Sequence, residues 1–128
     1  MKHGMKNSYY LFLLFFCFSC SDDDTSNVLQ IRVINASEFD YKNIVVNTSG
    51  GEQNYGDLDA GQTSVYKTFD FAYRFAYVEL QIDDDIFIFQ PIDYIEENLI
   101  TSGNYSYEIS ANDSNDQFSR LNINLRND

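Results

Sequence analysis

Apolar residues recur at every second position in several short runs of this chain, the spacing of strands with one buried face. The clearest run sets Leu121, Ile123 and Leu125 against Arg120, Asn122, Asn124 and Arg126. Val28 to Ile34 does the same, with Leu29, Ile31 and Val33 opposite Gln30 and Arg32. Tyr105, Tyr107 and Ile109 mark a third half-buried strand. The segment 41–47 carries Ile44-Val45-Val46, apolar on both faces, and is expected inside a sheet rather than at its edge.

Turn signals separate these runs. Asn35-Ala36-Ser37 and Ser49-Gly50-Gly51 break the chain, and residues 56–61 read as a loop before a strand over 62–69. Phe69, Phe71, Tyr73, Phe75 and Tyr77 then fall on one side at period two, while Val78, Leu80 and Ile82 have the opposite parity. A one-residue phase change flips every side chain, so a bulge or corner is expected near residues 75–77. Asp83-Asp84 reads as the tight turn of a hairpin leading to Ile86-Phe87-Ile88-Phe89, and Pro91 ends that strand because it has no N–H for a ladder. Residues 92–102 are the least regular and hold one helical turn or a crossing loop; a polar loop covers 112–116. No segment carries an apolar 3.6-residue period. Seven or eight strands over about a hundred residues predict an all-β domain, a single antiparallel β-sandwich over residues 28–128.

The first nineteen residues have a different character. Lys2, His3 and Lys6 precede the apolar run Leu11 to Phe18, which ends at the small Ser19, the layout of a targeting segment. The run is shorter than the roughly 20 apolar residues a spanning helix needs. An ordinary secretory signal cut nearby, or an N-terminal anchor helix, are the competing readings. Phe18-Ser19-Cys20 resembles the end of a bacterial lipobox. That resemblance implies a signal peptide over residues 1–19, a diacylglyceryl group on the Cys20 thiol, cleavage before it, and an outer-membrane address. Each buried methylene contributes about 0.8 kcal/mol, so two or three chains make such an anchor stable. Cys20-Ser21-Asp22-Asp23-Asp24 resembles the acidic export signal of Bacteroidetes-type surface lipoproteins, which implies that Ser21, Asp22, Asp23 and Asp24 direct the protein to the cell surface. A solvated acidic spacer on the periplasmic side is the alternative. Residues 21–27 lack any apolar side chain and read, with Cys20, as a tether. Residues 58–66, Leu-Asp-Ala-Gly-Gln-Thr-Ser-Val-Tyr, are similar to a loop-then-strand element of small prealbumin-like and immunoglobulin-like domains in Bacteroidetes lipoproteins. The likeness implies a sandwich of mostly unassigned role and brings no catalytic residues.

Composition narrows the chemistry. Cys17 and His3 leave with a signal peptide and Cys20 is lipidated, so the mature domain has no thiol and no imidazole. This excludes Ser-His-Asp and Cys-His catalysis and the usual zinc sites, and no glycine-rich phosphate loop is present. The chain has 8 Lys+Arg against 20 Asp+Glu; losing Lys2 and Lys6 leaves 6 against 20, a net charge of −14. Such a surface repels nucleic acid and anionic head groups. Membrane attachment then falls to the acyl chains, and no cofactor is expected.

Three uses of the remaining residues compete with plainer ones. Two carboxylates across a cleft would hydrolyse a glycan, against the alternative of solvated surface acids. Asp83-Asp84-Asp85, or Asp57 and Asp59 beside Gly56 and Gly61, could offer oxygens to calcium, although a turn that keeps a sheet edge soluble is preferred and no metal site is expected. The aromatic stripe is core, or else Tyr73, Arg74, Phe75 and Tyr77 form a platform for a protein or sugar partner. The reading preferred is a non-catalytic binding or assembly module. The others are a carboxylate-dependent glycan hydrolase and a purely structural envelope component.

Overall fold

The alternation of Leu29, Ile31 and Val33 with Gln30 and Arg32 becomes strand β1 (Leu29–Asn35), its first set buried and its second half-exposed. In a computed structural model, which describes residues 27–91, 98–113 and 119–128, seven strands follow. They are β2 (Tyr41–Asn47), β3 (Glu52–Leu58), β4 (Lys67–Phe69), β5 (Tyr77–Ile82), β6 (Asp85–Phe89), β7 (Gly103–Ala111) and β8 (Leu121–Asn127). Two four-stranded sheets, ordered β4-β1-β7-β8 and β3-β2-β5-β6, enclose one apolar cluster, and the expected all-β sandwich is present with eight strands. No helix among the described residues is long and apolar enough to cross a membrane. The segment 1–19, Cys20, and the export residues Ser21, Asp22, Asp23 and Asp24 lie outside the described residues.

The core comes from the inward parity of both sheets. Ile31, Val33, Tyr107, Ile109 and Ile123 of the first sheet meet Ile44, Val46, Val78, Leu80 and Phe87 of the second. Each such aliphatic side chain contributes about 1.5–3 kcal/mol when fully buried. Three tyrosines then tie the layers by donating to main-chain carbonyls. The Tyr41 hydroxyl reaches Ile109 O at 2.8 Å, Tyr55 reaches Ile31 O at 2.6 Å, and Tyr107 reaches Tyr73 O at 2.6 Å. Burying a ring is favourable only if its hydroxyl keeps a partner, and these contacts meet that condition without a disulfide.

The strand directions correct one part of the sequence reading. Three pairings in each sheet order the layers, and five of those six are antiparallel, but β1 and β7 run parallel from Leu29↔Gly103 to Asn35↔Ile109. The cause lies in the connection from β6 to β7. It leaves one sheet at Phe89 and joins the other at Gly103, both at the end of the sandwich where β1 also begins. We call this end the base and the opposite one the crown.

Other local expectations also shift. Residues 52–58 are an edge strand that takes in the start of the loop expected over 56–61; Gly56 sits inside it at φ +72°, at a register shift against Ile44. The strand expected over 62–69 is interrupted: Thr63 bridges Ile34 of β1 one residue out of register with the Ile31↔Lys67 pairing, so the ladder breaks over 64–66 and only β4 remains a strand. The stretch from Asp70 to Ala76 is a loop that carries the chain from β4 in one sheet to β5 in the other, so the phase change before Val78 is a corner between sheets and not a bulge. The hairpin is as expected: Ile82 pairs with Asp85 across Asp83-Asp84, with Asp83 at φ +56°.

Asparagine and threonine pin the two ends. At the crown, fully buried Asn35 donates to Phe39 O and Leu58 O and accepts from the Ser37 N–H and hydroxyl. At the base, buried Thr48 donates to Phe71 O at 2.7 Å and accepts from Gly50 N–H, while Asp70 N–H donates to Gly50 O. Ala72 and Ile100 exchange a pair of backbone bonds at 2.9 Å. These contacts fasten the loops of the two sheets to each other.

Candidate functional site

The aromatic stripe divides once its backbone is seen to be a loop. Phe69 is buried in β4, and between the larger rings the small Ala72 and Ala76 turn inward to the core. Phe71, Tyr73, Phe75 and Tyr77 are all half-buried, so neither the fully buried stripe nor the free platform describes them. Phe71 meets Tyr73 edge-on at 5.9 Å between centroids, and Phe75 packs against Phe89 at 5.7 Å. Arg74, the exposed member, stacks its guanidinium 4.8 Å from the centroid of Phe75. Of the four residues singled out as a partner surface, Tyr73, Arg74 and Phe75 therefore belong to one loop at the base. Tyr77 does not join them.

Tyr77 opens β5 on the outer face of its sheet, level with Asn47 on one side and, beyond it, Glu52 of β3. Asn47, Ser49, Glu52, Tyr77 and Gln90 line an open depression of about 420 Å³. Within it Asn47 Nδ2 donates to Glu52 Oε1 at 3.3 Å, and the Tyr77 hydroxyl donates to Glu79 Oε1 at 3.0 Å. Partial burial raises the Tyr77 hydroxyl above its ordinary pKa, and the bond to Glu79 with the charges of Glu79 and Glu52 adds to this. The ring thus stays a neutral, amphipathic surface flanked by amides and carboxylates. Sugar rings and peptide backbones bind to that combination, an apolar face with hydrogen-bonding groups at its rim.

A second polar constellation, missed in the sequence, covers the outer face of the other sheet. Asp128 accepts from the Ser106 hydroxyl at 2.7 Å and from the Tyr66 hydroxyl at 2.8 Å, and lies 3.4 Å from Arg32 Nε. Burial would raise its carboxyl, but the Ser106 and Tyr66 bonds and the charges of Arg32 and Arg126 outweigh this and hold it below the usual range. Arg126 in turn pairs with Glu108 at 2.9 Å, and Asn124 donates to the other Glu108 oxygen at 2.9 Å. Beside this lies a depression of about 320 Å³ lined by Ala36, Glu108, Ser110, Asn122, Ile123 and Asn124. Alternate polar residues of β7 and β8 were the available signal. They face the same side as Arg32, but only the pairing of β1 with β7 brings them beside it.

The acidic turns sit at the crown and serve local structure. Asp57 accepts from Asn43 N–H at 3.1 Å and approaches Lys42 Nζ at 3.9 Å, and Asp40 accepts from Ala60 N–H at 3.0 Å. Among the described residues no three His, Cys, Asp or Glu side chains converge as a metal ion would require.

No family model matches the chain, and no curated protein does. A solved NMR structure of a protein from Eubacterium rectale is similar in fold, with a TM-score of 0.53 at 18% identity, covering 81% of this chain and 91% of that one. At that identity the likeness supports the sandwich and nothing about activity.

Proposed function

We propose that this protein is a lipid-anchored envelope lipoprotein of the Bacteroidetes type. Acyl chains on Cys20 hold it to the outer membrane at the cell surface, and its sandwich is a non-catalytic binding or assembly module for a protein or glycan partner. Phe18-Ser19-Cys20, followed by Asp22-Asp23-Asp24, supports the anchor. The binding role is carried by the Tyr77 depression, where a half-buried ring meets Asn47, Glu52 and Gln90 on an open sheet face. Glycan hydrolysis would require two carboxylates facing each other across a cleft. Here Glu52 accepts from Asn47 and Glu79 from Tyr77, which supports holding a ligand over cleaving it.

Two experiments test this reading. Labelled palmitate should enter the wild-type chain and not Cys20→Ala; equal labelling of both removes the anchor. On an array of envelope glycans and in pull-downs from outer membranes, Tyr77→Ala should weaken the bound partner by roughly tenfold, about 1.4 kcal/mol. Turnover of a glycan, lost in Glu52→Gln or Glu79→Gln, would transfer the site to a hydrolase.

A further inference from the structure

We infer that the base of the sandwich rests on the lipid surface, with Tyr73 and Leu99 in the interfacial layer and the acidic crown pointing away. The inference rests on the anchor at Cys20 proposed above and adds an orientation and a second membrane contact.

The first argument is the length of chain between the anchor and the fold. Leu29, the first residue of β1, follows Cys20 by nine positions, from 20 to 29. Nine residues reach about 30 Å when fully extended. A random coil of nine residues averages about 15–18 Å. The seven residues of β1 rise about 23 Å from base to crown. Placing the crown on the bilayer would require the tether to run back along the whole sandwich, almost taut. With the base down it is relaxed.

The second argument is what the base displays. The loops that gather there, residues 48–51, 70–76 and 98–102, are the ones fastened by Thr48, Gly50, Ala72 and Ile100, so they form one surface. Leu99 is 55% exposed on it, beside the Ala72↔Ile100 bridge that joins its segment to the loop carrying the half-buried Phe71 and Tyr73 and the exposed Arg74. Tyrosines concentrate at membrane–water interfaces because the ring is apolar and the hydroxyl is wet, and arginine reaches from there to phosphates.

The third argument is charge. Glu38, Asp40, Asp59, Asp83, Asp84 and Asp113 lie at the crown, set against Lys42 and Arg120. Among the described residues of the base loops only Asp70 is acidic, and Arg74 offsets it. Asp93, Glu96 and Glu97 of the β6–β7 connection lie outside the described residues. An anionic membrane surface repels the crown more strongly than the described base loops, at whose rim lie Glu52 and Asp128, the latter held by Arg32 and Arg126. Phe39 and Ile86 toward the crown and Val65 midway along the sandwich are also exposed, but they are scattered singly, as exposed apolar residues commonly are.

The test uses the full, lipidated chain reconstituted in phosphatidylcholine vesicles whose acyl chains carry bromine. The protein contains no tryptophan, so each introduced one is a lone reporter. Tyr73→Trp and, independently, Leu99→Trp should shift to the blue and lose roughly half of their emission, as rings within about 5–10 Å of the acyl boundary do. Val65→Trp, at a position 72% exposed and level with the middle of β1, should remain unquenched. Leu99 is largely exposed, so its variant folds even if Tyr73→Trp does not. If the wild-type chain fails to float with the vesicles, the anchor itself is lost. If it floats but neither base reporter is quenched, or Val65→Trp is quenched as strongly, the orientation is wrong and the anchor stands. Base reporters that shift only with rising protein concentration would assign the surface to a second copy of the chain and overturn the lipid contact.

Discussion

Tyr41, on the β2 strand of one sheet, donates its hydroxyl to the carbonyl of Ile109 on the β7 strand of the other, 2.8 Å away and fully enclosed. Ile109 O also accepts from Ala36 N–H at 2.9 Å, so one carbonyl holds a strand, a crown loop and the facing sheet together. Tyr41→Phe keeps the ring and leaves Ile109 O one remaining donor, so the loss should be about 1 kcal/mol. Tyr41→Ala opens a cavity between the sheets and should cost about 3–5 kcal/mol. Urea denaturation of the two variants separates the hydroxyl from the ring; a Tyr41→Phe midpoint unchanged from wild type would show that the bond contributes nothing.

The same burial makes stability sensitive to alkali. Burial pushes Tyr41 up to about 12, slightly opposed by the Ser37 hydroxyl, and burial raises Tyr55 further. In the unfolded chain both ionise near the ordinary value of about 10. Above that pH the unfolded state binds fewer protons than the folded one, so stability falls as pH rises. Each tyrosine should remove about 1.4 kcal/mol per pH unit, from about pH 10 until its folded value is passed. Thermal melts should show a midpoint that is level to about pH 10 and falls between about pH 10 and pH 12. Tyr41→Phe should flatten the slope, and an unchanged slope would place the titration elsewhere.

Gly50 packs against the main chain of Phe71, and a Cβ there would overlap the Phe71 carbonyl oxygen. The obstacle is backbone, which cannot rotate aside. Gly50→Ala should therefore force the 48–51 turn away from the 70–76 loop, at a cost of about 1–3 kcal/mol, typical of overpacking. Calorimetry would register this as a drop of roughly 5–20 °C in Tm. A melting point within a degree or so of wild type would mean that the base loops are not locked together.

Legibility in the sequence followed the strength of the local signal. β8 and the β5–β6 hairpin were visible because apolar and polar residues alternate and Asp83-Asp84 suits a tight turn. β3 was not visible. Its sequence Glu-Gln-Asn-Tyr-Gly-Asp-Leu buries only Tyr55 and Leu58, three positions apart, because the irregularity at Gly56 shifts the parity. The stripe from Phe69 to Tyr77 erred in the other direction, since rings at period two imitate a strand. The residues that turn inward are Ala72 and Ala76, too small to be noticed among phenylalanines. For the candidate site, sequence singled out Tyr77 but could not supply its setting. Asn47 and Glu52 come beside it only through the pairing of β2 with β3 and β5. The Asp128 cluster was hidden for the same reason, its Ser106 lying 74 positions from Arg32.

The parallel pairing of β1 with β7 has a consequence for the time course of folding. The earliest strand to leave a ribosome, which adds about 5–20 residues per second, has its two neighbours at residues 67–69 and 103–109. Contacts of such long sequence separation form slowly. Until β7 has emerged, Leu29, Ile31 and Val33 have no completed sheet to enter, and the second sheet has no partner layer to close on. Were the chain exported as proposed above, a fold left incomplete in this way is the form that a secretion pore would accept.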